Sequence, residues 1–501
     1  MRQKSRSFRL TRRAFLAFGS TAALTTQSVG AQILSASPLA KLGVLALPLF
    51  EDLARWTEKN GGELHAALAD ATTGTELCGI KSAVVENPAS NQKLITAAAA
   101  LHYLGPDFTY RTGLFGTLQN GRVAKLVIRG EGDPSLSSAA LERMVEALLS
   151  RGVRAVGEIL VDQSAFDEEF VPPAFEQQPG EWSAFRAPVS AVAVDGNATT
   201  FCVEATKNGE PARVWFEPLG FVDVDGGVAT VGAGKKDYPR LTLKGNGDRL
   251  IAKVAGAIPE RGEKVRWRKR VDDPRSYAGY VLKRLLEEHG VTVQGAVTLG
   301  GENEQRELAS HLSRPLSELL HELGKKSDNF YSEMILKTLG MRLGGRPGKS
   351  ATGAEALTAF LQQLGAWEDG TLQSNGSGLY DANRVSPRSL TRVLWHTLAN
   401  PKLAPHYLNQ LAVGGVDGTL KGRFHSLRDQ RSVLAKTGTL RSVVSLSGYV
   451  FGPERSTPLA FSFIVSGIAG RQPETRKRID KIVEALAAEL WKAPQSKTAV
   501  R

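Results

Sequence analysis

The chain has little of what staples, chelates or anchors a protein. Only two cysteines, Cys78 and Cys202, occur among 501 residues. One disulfide could form, but a disulfide framework is excluded, and both are expected to be small buried apolar side chains. There is no CxxC pair and no HExxH, and none of the eight histidines stands at ligand spacing from another. No zinc site and no other cofactor is implied. Past the N-terminal region no apolar run reaches the roughly 20 residues that span a bilayer, so the mature chain is expected to lack a transmembrane anchor.

Acid is missing too, and in one place. No Asp or Glu precedes Glu51, while Arg2, Lys4, Arg6, Arg9, Arg12 and Arg13 supply half of the net charge of +12. The excess therefore belongs largely to a tail. With no basic segment interleaved with aromatics, nucleic acid is not an expected partner. The tail runs into an apolar, small-residue stretch at 14–24 and a small-residue cleavage site at 29–31. That is the pattern of an export signal over 1–31, and Arg12-Arg13 followed by Phe15 and Leu16 resembles the twin-arginine type. The mature protein is expected to be exported, soluble and periplasmic or otherwise outside the cytoplasmic membrane.

What remains, 42% hydrophobic and 23% charged, is an ordinary globular composition long enough for several domains. Two glycine-rich stretches mislead. In "GGRPGKS" at 344–350 the first glycine of a phosphate loop would fall on Leu343, and a helical pattern precedes it, so a helix-to-helix turn is expected. "GEGDPSLSS" at 130–138 follows the alternating "KLVIRG" and reads as a strand end and turn.

Three separated pieces carry chemistry. "PASNQKLITAAAAL" at 88–101 is a proline break followed by a strong helix former, which sets Ser90 at a helix start and Lys93 one turn on, over the same face. An amine there can take the hydroxyl proton, and the helix N-terminus favours an oxyanion. Alone, SxxK is weak; composition yields it about once or twice in such a chain, and an N-cap serine with a solvated lysine is the ordinary alternative. "KKSDNFYSEMILKTLG" at 325–340 places Ser327, Asp328 and Asn329 in the first turn of a core-packed helix or just before it. Asp and Asn at such a position are usually caps. "SVLAKTGTL", "RSVVSLSGYVFG" and "PLAFSFIVSG" read as three successive antiparallel strands. On the first, Lys436 and Thr437 point to opposite faces unless Gly438 lets the backbone twist.

SxxK, SDN and KTG in this order form the motif set of penicillin-binding proteins and active-serine β-lactamases. Each lies in the required context, and the conjunction outweighs the capping readings. The interval from Lys93 to Ser327 is much longer than a β-lactamase needs. The nearest candidate for its deacylation motif ExxLN, "PHYLN" at 405–409, has Pro405 in place of the glutamate. With "GEGDPSLS", "SNGSGLYDANRVSP" at 374–387 and "VGGVDGTLKGRF" at 413–424, the chain from about 47 to 490 resembles the class C low-molecular-mass penicillin-binding proteins. These are D-alanyl-D-alanine carboxypeptidases and endopeptidases of the penicillin-binding protein 4 type. Asp328 departs from the other polar residues found there in many relatives.

The resemblance implies an α+β fold: a serine β-lactamase/transpeptidase-like catalytic domain, an antiparallel sheet flanked by helices, with strand-rich domains inserted between SxxK and SDN. The catalytic domain would take 32–110 and 311–495, and two nested inserted domains 111–310. Alternating segments at 124–130, 156–162, 240–258 and 291–301 read as strands of the insert. Helices are expected at 141–152 and at 273–290, the latter with Pro in its first turn and a glycine C-cap, and an amphipathic closing helix at 475–491. By resemblance Ser90 is the nucleophile, Lys93 its base and Ser327 a proton relay. Asn329 binds the substrate amide, and Lys436, Thr437, Gly438 and Thr439 form the strand that holds the terminal carboxylate. A second cation, Lys436, is one way to depress the pKa of Lys93. The expected partners are peptidoglycan stem peptides, with β-lactams as covalent inhibitors. A peptidoglycan binder without turnover, and an esterase or aminopeptidase on the same scaffold, are the competing readings.

Overall fold

The computed structural model describes residues 38–492 except 235–236, 302–305 and 455. The expected export signal at 1–31 lies outside the described residues. Helix α1 (Pro38–Lys59) buries Leu42, Ala46, Phe50 and Leu53, a four-four-three spacing that gives one apolar stripe. The hairpin of β1 (Glu63–Asp70) and β2 (Glu76–Ile80) follows. After it comes α2 (Gln92–Leu104), buried at every position from Gln92 to Leu101, as befits a helix that runs through a core rather than over one.

The chain then leaves for a long insertion. Strand 111–116 leads out and strand 306–312 leads back, and the two pair antiparallel with Leu312 opposite Arg111. Their neighbours, strands 122–130 and 155–162, run parallel to each other because α3 (Ser138–Ser150) crosses between them. The helix begins at 138, earlier than the expected 141, since the Ser137 hydroxyl caps it by accepting from Ala140 N (3.2 Å). Beyond this mixed sheet lie small sheets of strands 222–226, 240–246 and 249–255 and of strands 198–204, 213–217 and 265–270. Hydrophobic clusters in the insertion centre on Val156, Ile159 and Leu282 and on Phe201, Phe216 and Val254, with Trp182 and Val222 packed against both, while Phe166 and Val189 join Phe330 and Met334 in another. Helix α4 (Tyr277–Glu288) starts later than expected, because Asp273 closes a turn by accepting from Arg275 N (2.9 Å) and leaves Pro274 outside the helix. It ends as expected before a left-handed Gly290.

Helices return with α5 (Leu316–Gly324), α6 (Asn329–Gly344), α7 (Ser350–Gln363), α8 (Pro387–Ala399) and α9 (Ala404–Gln410). The segment 344–350 is the turn between α6 and α7. Strands β3 (Ala412–Val413), β4 (Val433–Thr439), β5 (Val444–Val450) and β6 (Leu459–Ser466) follow, then α10 (Gln472–Lys492). The central sheet has the order β3-β4-β5-β6-β1-β2, every pairing antiparallel. The first strand thus lies beside the last, and the two catalytic segments close on one another.

Alternation makes β6 a wall between two cores. Leu459, Phe461, Phe463 and Val465 face α1 and α10, while Ala460 and Ile464 face the cluster built on α2 and α8. The closing helix packs as expected on the face that carries Val444 and Leu446. Cys78 is half-buried on β2 and Cys202 buried in the insertion; both are free thiols. No helix among the described residues is long and apolar enough to cross a membrane.

Candidate active site

Ser90 stands on a kink. Ala89 has a positive φ of 48°, held by Asn87, whose side-chain oxygen accepts from Ala89 N (2.9 Å) and whose nitrogen donates to Tyr380 O (3.0 Å). Gly378 must be glycine here, since a Cβ would stand 1.8 Å from Ala89 O. A short 3-10 turn, Ala89–Asn91, carries Ser90 into α2. The N-cap position of α2 is Asn91 and not the serine, so the ordinary capping alternative falls away.

Lys93 is fully buried one turn on. Its Nζ donates to Ser90 Oγ (3.1 Å), Asn329 Oδ1 (2.8 Å) and Ser377 O (2.7 Å). Lys436, also fully buried, donates to Ser327 Oγ (2.8 Å) and Thr437 O (2.8 Å). Ser327 takes a left-handed φ of 59° ahead of α6. The next two residues divide the work: Asp328 caps the helix by accepting from Tyr331 N (3.1 Å), and Asn329 turns its amide to Lys93 and to Phe185 O (3.0 Å). The Asn91 amide joins α2 to β4, donating to Lys436 O (2.8 Å) and accepting from Ser447 Oγ (2.7 Å). Three remote segments thus converge on one cleft.

Burial lowers Lys93 to about 7, against the opposing pull of Glu333 and Asp328. Removal from water is the leading cause. Lys436 is likewise held well below its ordinary value, by burial first and by repulsion from Lys93 second. One expectation changes. β4 pairs with β5 without a register shift through Thr439, so Gly438 serves close approach and not a twist.

Sequence reasoning missed several contributors. Thr419 Oγ1 accepts from Thr437 Oγ1 (2.9 Å), and Arg476 on α10 donates to Thr439 Oγ1 (3.0 Å). Ser377 and Thr419 come from the two segments at 374–387 and 413–424 that carried the resemblance, but a carbonyl and a lone hydroxyl have no signature of their own. Away from the cleft, Glu63, His65 and Glu86 bring ligand atoms within 4.8 Å of one another, but Glu63 is already ion-paired with Lys81.

A serine on a helix-start kink, bonded to a water-excluded amine and faced by a second lysine-serine pair, is an arrangement suited to a serine hydrolase. The model of the D-Ala-D-Ala carboxypeptidase 3 (S13) family matches residues 50–489. The D-alanyl-D-alanine carboxypeptidase of Actinomadura sp. (strain R39) is 34% identical over 82% of this chain and 79% of its own length. The D-alanyl-D-alanine carboxypeptidase DacB of Haemophilus influenzae is 28% identical over 79% and 84%. The crystal structure of penicillin binding protein 4 from Haemophilus influenzae superposes with a TM-score of 0.74 at 24% identity, over 87% of this chain and 99% of that one. The same protein complexed with a β-lactam gives 0.70 at 25% identity, over 88% and 100%. The chain belongs to the D-Ala-D-Ala carboxypeptidase 3 (S13) family of serine peptidases, with the fold of penicillin binding protein 4.

Proposed function

We propose that Ser90 attacks the carbonyl of the penultimate D-alanine of a peptidoglycan stem peptide, and that this chain releases terminal D-alanine through an acyl-enzyme. The observation that carries the reading is the buried Lys93 amine 3.1 Å from Ser90 Oγ and lowered to about 7. At neutral pH much of it is unprotonated and ready to take the serine proton, help of a kind that contributes about 10²–10⁴-fold.

The backbone N–H groups of Ser90 and Thr439 form the oxyanion hole. In the β4-β5 hairpin Leu440 N donates to Val443 O (2.9 Å), so Thr439–Val444 is the next, non-hydrogen-bonded pair and the Thr439 N–H faces away from β5. Each such donor contributes about 2.7–4 kcal/mol. Ser327, bonded to Lys436, passes a proton to the leaving amine. Asn329 binds the substrate amide, and Thr437 and Thr439 take the terminal carboxylate with Lys436. That carboxylate favours the ammonium form of Lys436, which burial alone disfavours. Water then cleaves the acyl-enzyme, and penicillins acylate the same serine.

We further propose that the chain is exported through Arg12-Arg13 and acts on the cell wall, and that 111–310 folds as two nested domains. Labelled penicillin attaches covalently to the wild type and not to Ser90→Ala; labelling that survives the substitution rejects Ser90. Free D-alanine appears from a pentapeptide, and the same assay on cross-linked muropeptides reads any endopeptidase activity. Binding without release of D-alanine from either substrate supports the non-catalytic alternative instead.

A further inference from the structure

Glu333 is fully buried and lies four residues after Asn329 on α6, so the two side chains share a helix face. Asn329 reaches the Lys93 amine directly. Glu333 reaches it at one remove: its carboxylate accepts from Ser377 N (2.8 Å) and Gly376 N (3.1 Å), and the carbonyl of Ser377 accepts from Lys93 Nζ (2.7 Å). On the other side of the same loop Gly376 O accepts from Thr96 Oγ1 (2.8 Å) and Ser332 Oγ (2.6 Å). The loop is therefore clasped between α2 and α6.

A carboxylate kept from water is costly unless its charge is answered. Lys337, one turn further along α6, does not pair with it, because that ammonium is bonded to Asp167 and to Glu169 O (2.8 Å). Lys337 feels Glu333 only through space, whereas Lys93 is joined to it through the Ser377 peptide.

We propose that Glu333 is a positioning residue for Lys93: it fixes the 376–377 peptide so that the Ser377 carbonyl meets the amine, and its negative charge steadies the ammonium that Lys93 becomes on accepting the serine proton. The proton moves from Ser90 Oγ to Lys93 Nζ as the Oγ–carbonyl bond forms, and leaves again toward the departing amine. Between those events a buried cation must exist. Three charged groups face it: Glu333 and Asp328 from α6 and the residue before it, which favour it, and Lys436 from β4, which repels it.

This inference rests on Lys93 being the base, and the test separates the two. In the wild type kcat/KM for a peptide ending in D-alanyl-D-alanine rises with pH through about 7. In Glu333→Gln one of the two attractions that hold the proton on Lys93 is gone, so the acid limb moves to lower pH. The weaker base also lowers kcat at the plateau by about tenfold, while KM stays within about twofold. An unshifted limb, with only a lower melting temperature, overturns the proposal and leaves Glu333 a structural clasp. Absence of an acid limb in the wild type rejects Lys93 as base and takes this proposal with it.

Should Glu333→Gln not fold, wild-type protein labelled with 15N-glycine and 15N-serine gives the second reading. The Gly376 and Ser377 amide signals shift with the same midpoint as the acid limb; signals that do not move across that range reject the coupling.

Discussion

A single hydrogen atom sets how near β4 comes to Ser90. A Cβ at Gly438 would lie 2.1 Å from Ser445 Oγ, 3.0 Å from Ala89 Cβ and 3.1 Å from Pro88 O, so the strand touches the kink that carries Ser90 through the one residue without a side chain. Ser445 Oγ completes the contact by donating to Pro88 O (2.7 Å). Gly438→Ala must either turn that hydroxyl away or push the strand off the kink, and the second moves Thr439 N away from Ser90 N. We expect acylation by penicillin to slow by about 10²–10³-fold, as when an oxyanion donor is lost, while the fold persists. Stopped-flow acylation measures it, and a rate within tenfold of wild type would show that the contact does not set the hole. Arg476 gives a second outcome at this scale. Because it bonds Thr439 Oγ1 from outside the sheet, Arg476→Ala should raise KM for carboxylate-ended peptides more than it lowers kcat; an effect confined to kcat would place it elsewhere. Neither residue explains itself in the sequence: the glycine of KTG is legible as a motif, but the neighbour it makes room for lies more than 300 positions away.

Among the elements, α6 carries several duties at once. Asp328 caps it, Asn329 and Glu333 face Lys93, and Lys337 faces the insertion, where its buried ammonium is paired with Asp167. The helix is buried nearly all round from Phe330 to Met341, so its charged side chains must each find a partner. Lys337→Met leaves Asp167 without one, and breaking a buried pair typically costs about 3–5 kcal/mol; Lys337→Met with Asp167→Asn should recover most of that. Urea unfolding of the single and double variants decides, and a single variant as stable as wild type would mean the pair contributes nothing to holding α6. This helix, the three-strand meander and α10 were legible because their apolar spacing is set locally. The start of α4 was misread because a side-chain turn at Asp273 outcompeted helix propensity. The parallel pairing of 122–130 with 155–162 was not legible, since a strand's own pattern states that one face is buried and not which neighbour it takes.

At the scale of the whole molecule, the paired exit and entry strands at 111–116 and 306–312 let a long insertion leave and rejoin the catalytic body at one place, and β1 beside β6 joins the body's two segments. That closure buries the two lysines and excludes water from them, which ties catalysis to stability. The ordinary lysine value is about 10.4 in an unfolded chain, whereas Lys93 in the native state is lowered to about 7. Below pH 7 both states hold the proton, and the native state bears the full cost of a buried cation. Between about 7 and 10.4 the native state has released its proton while the unfolded chain still holds it, so the unfolded state binds more protons and stability rises with pH. Lys93→Met, similar in length and without charge, has no such term. The melting temperature of the wild type relative to Lys93→Met should therefore climb from pH 6 to pH 10, read by thermal unfolding of both proteins in the same buffers. A constant difference across that range would mean that Lys93 keeps its proton in the folded protein, and the amine beside Ser90 could not then serve as its base.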